Sequence, residues 1–108
     1  MTRRRPMERI GTLIPEAARR LGLEEELRLS RAITTWAVIV AERVPAASSA
    51  CRLVGVEGFT LVVEVDAPIV AQELRMRSPE LLEAFAVAPG GHRASELRMR
   101  VRREGRAV

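Results

Sequence analysis

Apolar positions along this chain follow two different periods. Between residues 8 and 44 they recur every three or four residues, as Ile10, Leu13, Ile14, Ala17 and Leu21, then Leu27, Ala32, Trp36, Val40 and Val44. That spacing puts a stripe on a helix. Gly22 stands between the two groups as a natural stop in the left-handed conformation. Pro15 suits only a first turn, so regular helix is expected from near Thr12 as N-cap. The pattern therefore predicts one helix over 8–21 and a second over 24–44. Glu24-Glu25-Glu26 opens the second, where carboxylates favour a helix N-terminus. Pro45 ends it, and AASSA is the exit loop.

The period then changes to two. Leu61, Val63 and Val65 alternate with Thr60, Val62 and Glu64, and Cys51-Arg-Leu-Val-Gly-Val56 is a second β-type run before them. Glu57-Gly58 between the runs resembles the Asp-Gly pair of a tight hairpin, which would set Val56 opposite Phe59 and Val54 opposite Leu61. The stretch GVEG, residues 55–58, has the form of the G-x-x-G clamp with which KH domains hold a nucleic-acid backbone. That clamp sits between two helices, whereas GVEG sits in a β-turn. Gly58 is accounted for by a positive φ and Gly55 by a bulge or strand twist.

Asp66-Ala67-Pro68 starts a third helix, with Asp66 or Ala67 as cap and Pro68 in the first turn. Val70, Ala71, Leu74, Leu81, Leu82 and Phe85 form its apolar stripe, and Pro79 should kink it or split it after Arg77. After the loop APGGHRAS, the segment SELRMRVRR alternates again. Leu97, Met99 and Val101 point in, while Glu96, Arg98, Arg100 and Arg102 point out. The order α-α-β-β-α-β predicts a small α+β domain with a three-stranded sheet and helices on one face. The expected organisation is a flexible basic N-terminus over 1–7, one domain over 8–103 and a short C-terminal tail over 104–108.

Charge adds to this picture. All 18 basic residues are arginine. Residues 1–9 carry four of them against Glu8, net +3, and residues 98–108 carry five against Glu104, net +4. The 88 residues between hold nine arginines and twelve acids, net −3. Positive charge gathered at the two ends fits a polyanion or an acidic partner. The plain alternative is a solubilising surface.

The parts of an enzyme are scarce. The chain has one histidine, His92, one cysteine, Cys51, one aspartate, Asp66, and neither lysine nor tyrosine. No nucleophile–base–orienter set is suggested by their order, no Cys/His zinc set exists, and no intrachain disulfide is possible. No catalytic residue, metal or cofactor is expected. Cys51 reads as a small core residue and His92 as a loop residue. No apolar run approaches the length of a membrane span, and the basic N-terminus lacks an apolar signal core. The expectation is a soluble cytoplasmic protein without a small-molecule substrate.

Two features remain as candidate binding elements. On a strand, Arg98, Arg100 and Arg102 share one face, and Arg103 lies beyond them. These rigid forks suit phosphates, as do Arg3, Arg4 and Arg5 at the other end. Charges on a solvent-facing strand also prevent sheet-to-sheet pairing, which is the competing explanation. Trp36, Phe59 and Phe85 are the only aromatics and all fall on core-like positions. Base-stacking platforms are therefore lacking, and any nucleic-acid binding would be electrostatic and salt-sensitive. Trp36 is expected in the core; exposed, it would be a protein-binding anchor.

Seven short motifs occur in a familiar order. They are Ile10-Gly11-x-Leu13, Leu21-Gly22-Leu23, Trp36 with its V-x-V-A-E-R run, Gly58-x-x-Leu61-x-Val63, Ala71-Gln72-Glu73-Leu74, Pro79-Glu80-Leu81-Leu82 and the final L-R-M-R-V strand. Together, over about residues 8–102, they resemble the DciA family of bacterial proteins that assist loading of the replicative DNA helicase. The resemblance implies a KH-like fold and a non-enzymatic adaptor whose partners are the hexameric helicase and single-stranded DNA. It suggests docking through the folded domain, for which the surface around Trp36 and the Gln72-Glu73 turn is our candidate. The chain departs from the family at Ala41, where glycine is frequent, at Val70, where a second tryptophan is frequent, and in lacking a long basic tail. No Walker-type G-x-x-x-x-G-K-[ST] occurs, so an ATP-driven loader is excluded. A general single-stranded DNA- or RNA-binding domain is the alternative, and a purely structural or oligomerising domain a third.

Overall fold

A computed structural model describes residues 4–102, with side chains from Pro15 onward. Helix α1 runs over Arg4–Arg43, followed by a 3-10 turn at Pro45–Ala50, strands β1 (Cys51–Glu57) and β2 (Thr60–Val65), helices α2 (Pro68–Met76) and α3 (Ser78–Val87), and strand β3 (Glu96–Val101). The domain is α+β with a small three-stranded sheet, as the change of period predicts.

The two helices expected at 8–21 and 24–44 are one element. Gly22 does not take a positive φ, and Pro15 lies inside the helix. Forty residues at a rise of about 1.5 Å give a rod of roughly 60 Å, matching the 64 Å long axis of the molecule. The expected third helix divides at Arg77, as Pro79 requires. Both halves begin with proline at the first or second position and have no side-chain cap.

The strands lie in the order β1-β2-β3, with β1 antiparallel and β3 parallel to β2. The hairpin turn lies one residue later than expected. Glu57 pairs with Thr60 and Val56 with Leu61, so the two-residue turn is Gly58-Phe59. Gly58 takes φ 62° at the first central position, the place a type II′ turn reserves for glycine. The ladder shifts between Leu53 and Gly55. That bulge changes the phase of β1, so Leu53 and Val56 both reach the helix side although three residues apart. The glycines of GVEG thus serve a bulge and a turn.

One face of the sheet supplies Leu53, Leu61, Val63 and Val65 to a core completed by Trp36, Val40, Leu74, Leu81 and Phe85. Leu97 and Met99 pack against it half-buried. Trp36 meets Phe85 edge-on at 6.4 Å. Phe59 is the exception among the aromatics. It is 64% exposed in the hairpin turn rather than in the core. Leu27, also expected inside, is exposed. Phe59 is exposed because the turn lies one residue later than expected, and Leu27 because every described side chain of α1 from Pro15 to Arg28 is exposed.

Candidate macromolecule-binding surfaces

The open face of the sheet carries an ordered array of charge. Alternation forces Arg52, Glu64 and Arg100 onto one cross-strand row, because Arg52 pairs with Glu64 and Glu64 with Arg100 in the ladders. The Glu64 carboxylate accepts from Arg52 Nε at 3.3 Å and lies 3.7 Å from Arg100 Nη2. Asp66 is likewise shared, 3.5 Å from Arg52 and 4.0 Å from Arg102. Arg98 is ion-paired to Glu57 across the bulged hairpin. Glu96, at the start of β3, accepts from the Thr60 hydroxyl at 3.3 Å.

The arginine stripe of β3 is therefore real in geometry, with Arg98, Arg100 and Arg102 on one exposed face. It is not the bare cationic row that the strand alone suggests. With Arg52 it has four guanidinium groups, and Glu57, Glu64, Asp66 and Glu96 balance them. The acids orient the forks and take part of their hydrogen-bonding capacity. Each exposed pair contributes under about 1 kcal/mol, so the arrangement is more a matter of position than of stability. Sequence reasoning missed the counter-ions because it read Glu57 as turn, Glu64 as strand surface and Asp66 as a possible cap. Ala67 is the cap residue. Arg3 and Arg103 lie outside the described residues, as do the side chains of Arg4 and Arg5.

Trp36 is 1% exposed at the centre of the core. Its ring cannot touch a partner without opening the domain. Gln72 and Glu73 lie on α2, with Gln72 exposed and Glu73 half-buried. Two further residues, which periodicity does not single out, stand beside them. Ile69 and Met76 are 70% and 71% exposed at i−3 and i+4 from Gln72, on the same helical face. Two bare apolar side chains flanking a polar one over two turns form a small exposed apolar face, while Ala71 and Leu74 anchor the helix behind it.

At the α2–α3 junction, Arg77 donates from Nη1 to the carbonyl of Arg43 at 3.1 Å, near the C-terminal end of α1. Glu80 lies 3.1 Å from Arg43 and 3.8 Å from Arg77. This junction, Arg77-Ser78, has no glycine. Among the described residues there is no cluster of His, Cys, Asp and Glu able to hold a metal, and no helix long and apolar enough to cross a membrane.

No curated protein matches the chain. The model of the family described as Dna[CI] antecedent, DciA, matches residues 9–99, a span that takes in α2 and the sheet up to Met99 of β3 and stops just short of Arg100 and Arg102. The chain belongs to the DciA family.

Proposed function

We propose that this chain is a non-enzymatic adaptor that binds the hexameric replicative helicase and assists its placement on single-stranded DNA. Family membership over residues 9–99 carries the reading, since the family serves in helicase loading during replication. Docking is assigned to the outer face of α2, with Ile69 and Met76 as apolar anchors and Gln72 and Glu73 as the polar contacts between them. Buried Trp36 acts only by holding α1 in the core.

Single-stranded DNA is assigned to the open sheet face through Arg98, Arg100 and Arg102, joined by Arg103 and by Arg3, Arg4 and Arg5. The acids among these arginines make the contact weak and dependent on low salt. This suits a protein that hands a strand over better than one that holds it. The KH-like reading fits two short helices in succession followed by a strand, but the junction between them lacks the glycine pair of a backbone clamp. For that reason DNA is placed on the sheet.

The test is co-elution of the purified chain with the helicase hexamer at moderate salt, together with helicase loading on circular single-stranded DNA. Wild-type chain should co-elute and stimulate loading, and Ile69→Asp with Met76→Asp should abolish both. Absence of co-elution by the wild type overturns the reading. Salt-sensitive binding of DNA and RNA alike without helicase contact would establish the general nucleic-acid binder instead.

A further inference from the structure

The N-terminal half of α1 is a helix without a partner. Every described side chain from Pro15 to Arg28 is exposed, with Leu21, Leu23 and Leu27 at 63%, 60% and 54%. Where this stretch meets the domain it borders a groove of about 900 Å³ that begins at Gly22. Leu29, Ala32 and Val56 line the groove, with Gly58 and Gly90 at its wall.

The charges on this stretch are arranged about Gly22 with opposite sign. Glu16 stands as far before Gly22 as Arg28 stands after it, and the same holds for Arg19 with Glu25 and for Arg20 with Glu24. Between Pro15 and Leu29 only Glu26 has no such counterpart. Within one copy these groups gain little. Glu16 pairs with Arg19 and Glu25 with Arg28, each at 3.5 Å and exposed, and such pairs are weak. Gly22 is likewise unexplained within one copy. Its φ is not positive, and a Cβ built on it would meet nothing within 4 Å. Alanine would serve a lone helix better.

We infer that this stretch of α1 binds a second copy of the chain, the two unbroken helices lying antiparallel and crossing at Gly22. A two-fold axis there makes the contact self-complementary, as an isologous interface requires. Each residue comes level with the one equally far on the other side of Gly22 in the second copy. Arg19 is then level with Glu25, Arg20 with Glu24 and Glu16 with Arg28, so opposite charges set direction and register together. A parallel pair in register would set each charge beside its own kind. Leu21 comes level with Leu23, Ala17 with Leu27, and Pro15 with Leu29 in the groove of the second copy. Ala18 lies one turn before Gly22 on the groove side of the helix, so two small residues let the backbones approach closely at the crossing. The contact uses neither α2 nor the open face of the sheet.

The test is the mass of the full chain by sedimentation equilibrium over a concentration series. A rise from 12.0 kDa to twice that mass is expected. Arg19→Glu with Arg20→Glu, and Glu24→Arg with Glu25→Arg, should each stay monomeric where the wild type is dimeric, because like charges then come level. Mixed one to one, the two variants should restore the double mass. Gly22→Leu should raise the dimer dissociation constant at least about tenfold without loss of helix, since a single copy has room for the side chain. Nitroxides on Thr34→Cys, with Cys51→Ala removing the native thiol, should lie about 36 Å apart along the crossed helices at 1.5 Å per residue. A parallel pair would bring them within roughly 10–15 Å. A wild type that stays monomeric overturns the inference. So does a dimer that both charge variants keep on their own, that ignores Gly22→Leu, or that shows the short nitroxide distance.

Discussion

Thr35 on α1 donates its hydroxyl to the carbonyl of Pro89 at 2.7 Å. This bond seats the Pro89–His92 loop against the long helix, and His92 then packs edge-on against Phe85 at 5.3 Å. The loop has no room for a side chain at its centre. A Cβ on Gly90 would lie 2.5 Å from Thr35 Oγ1, with φ at 86°, and a Cβ on Gly91 would lie 1.9 Å from the Phe85 carbonyl oxygen.

Thr35→Val should therefore cost about 1 kcal/mol, the typical value of one hydrogen bond. Gly91→Ala should cost several times that, because its collision is with backbone. Urea midpoints of the two variants check the order. Equal losses would show that the loop is not held in this conformation.

Charge changes on the open sheet face should act in opposite directions. Arg98→Ala with Arg100→Ala should lower oligonucleotide affinity and flatten its dependence on salt, by about 0.7 in the logarithmic slope for each phosphate of a single strand that is no longer neutralised. Glu64→Gln should raise affinity and steepen that dependence, because it releases Arg52 and Arg100 from their shared carboxylate. Fluorescence anisotropy titrations at several salt concentrations measure both. Unchanged binding in all variants would remove this face from the DNA contact.

Trp36 is the only tryptophan, so its emission reports the core alone. It should emit at short wavelength and resist quenching by acrylamide. Trp36→Ala should cost about 3–5 kcal/mol through the cavity left beside Phe85. Trp36→Phe, which keeps most of the apolar volume, should retain helicase co-elution. Loss of co-elution in a folded Trp36→Phe protein would return the contact to this ring.

Burial pushes the Cys51 thiol above its ordinary 9.0, with Asp66 adding to the rise and Arg52 opposing it. The nearby Trp36 indole N–H also opposes the rise, although it has no hydrogen-bond partner in the structure and cannot offset burial. The unfolded thiol ionises first as pH climbs. The stabilisation is complete below the unfolded value and is lost as pH rises through the folded one. With no lysine or tyrosine in the chain, Cys51 is the one side chain that titrates between about pH 8 and 12. Unfolding free energy should fall over that interval in the wild type and stay flatter in Cys51→Ala. Parallel curves would contradict the assignment.

Legibility from sequence followed the range of the forces involved. Local rules served well where backbone chemistry decides. Pro79 split α2 from α3, Gly58 took the turn, and Leu97 and Met99 pointed inward as their alternation requires. They failed where two local signals compete, as at Gly22, whose helix-stopping tendency lost to the continuity of its neighbours in α1. They also failed by one residue in the hairpin, because Glu57-Gly58 and Gly58-Phe59 both offer a two-residue turn containing the glycine. The arginines of β3 were visible. Their partners were not, since Glu64 and Asp66 reach them only through strand pairing across 36 residues of chain.

The parallel placement of β3 beside β2 fixes when this protein can exist during its synthesis. The two strands are separated by residues 66–95, so α2 and α3 must emerge before the third row can be laid. Until then a nascent chain offers a two-stranded ribbon packed on its helices, with the edge of β2 unpaired and Leu97 and Met99 missing from beside the core. A stop placed just before Glu96 should therefore yield an unfolded product rather than a shortened domain, and the strand that displays the arginines doubles as the latch that completes the molecule.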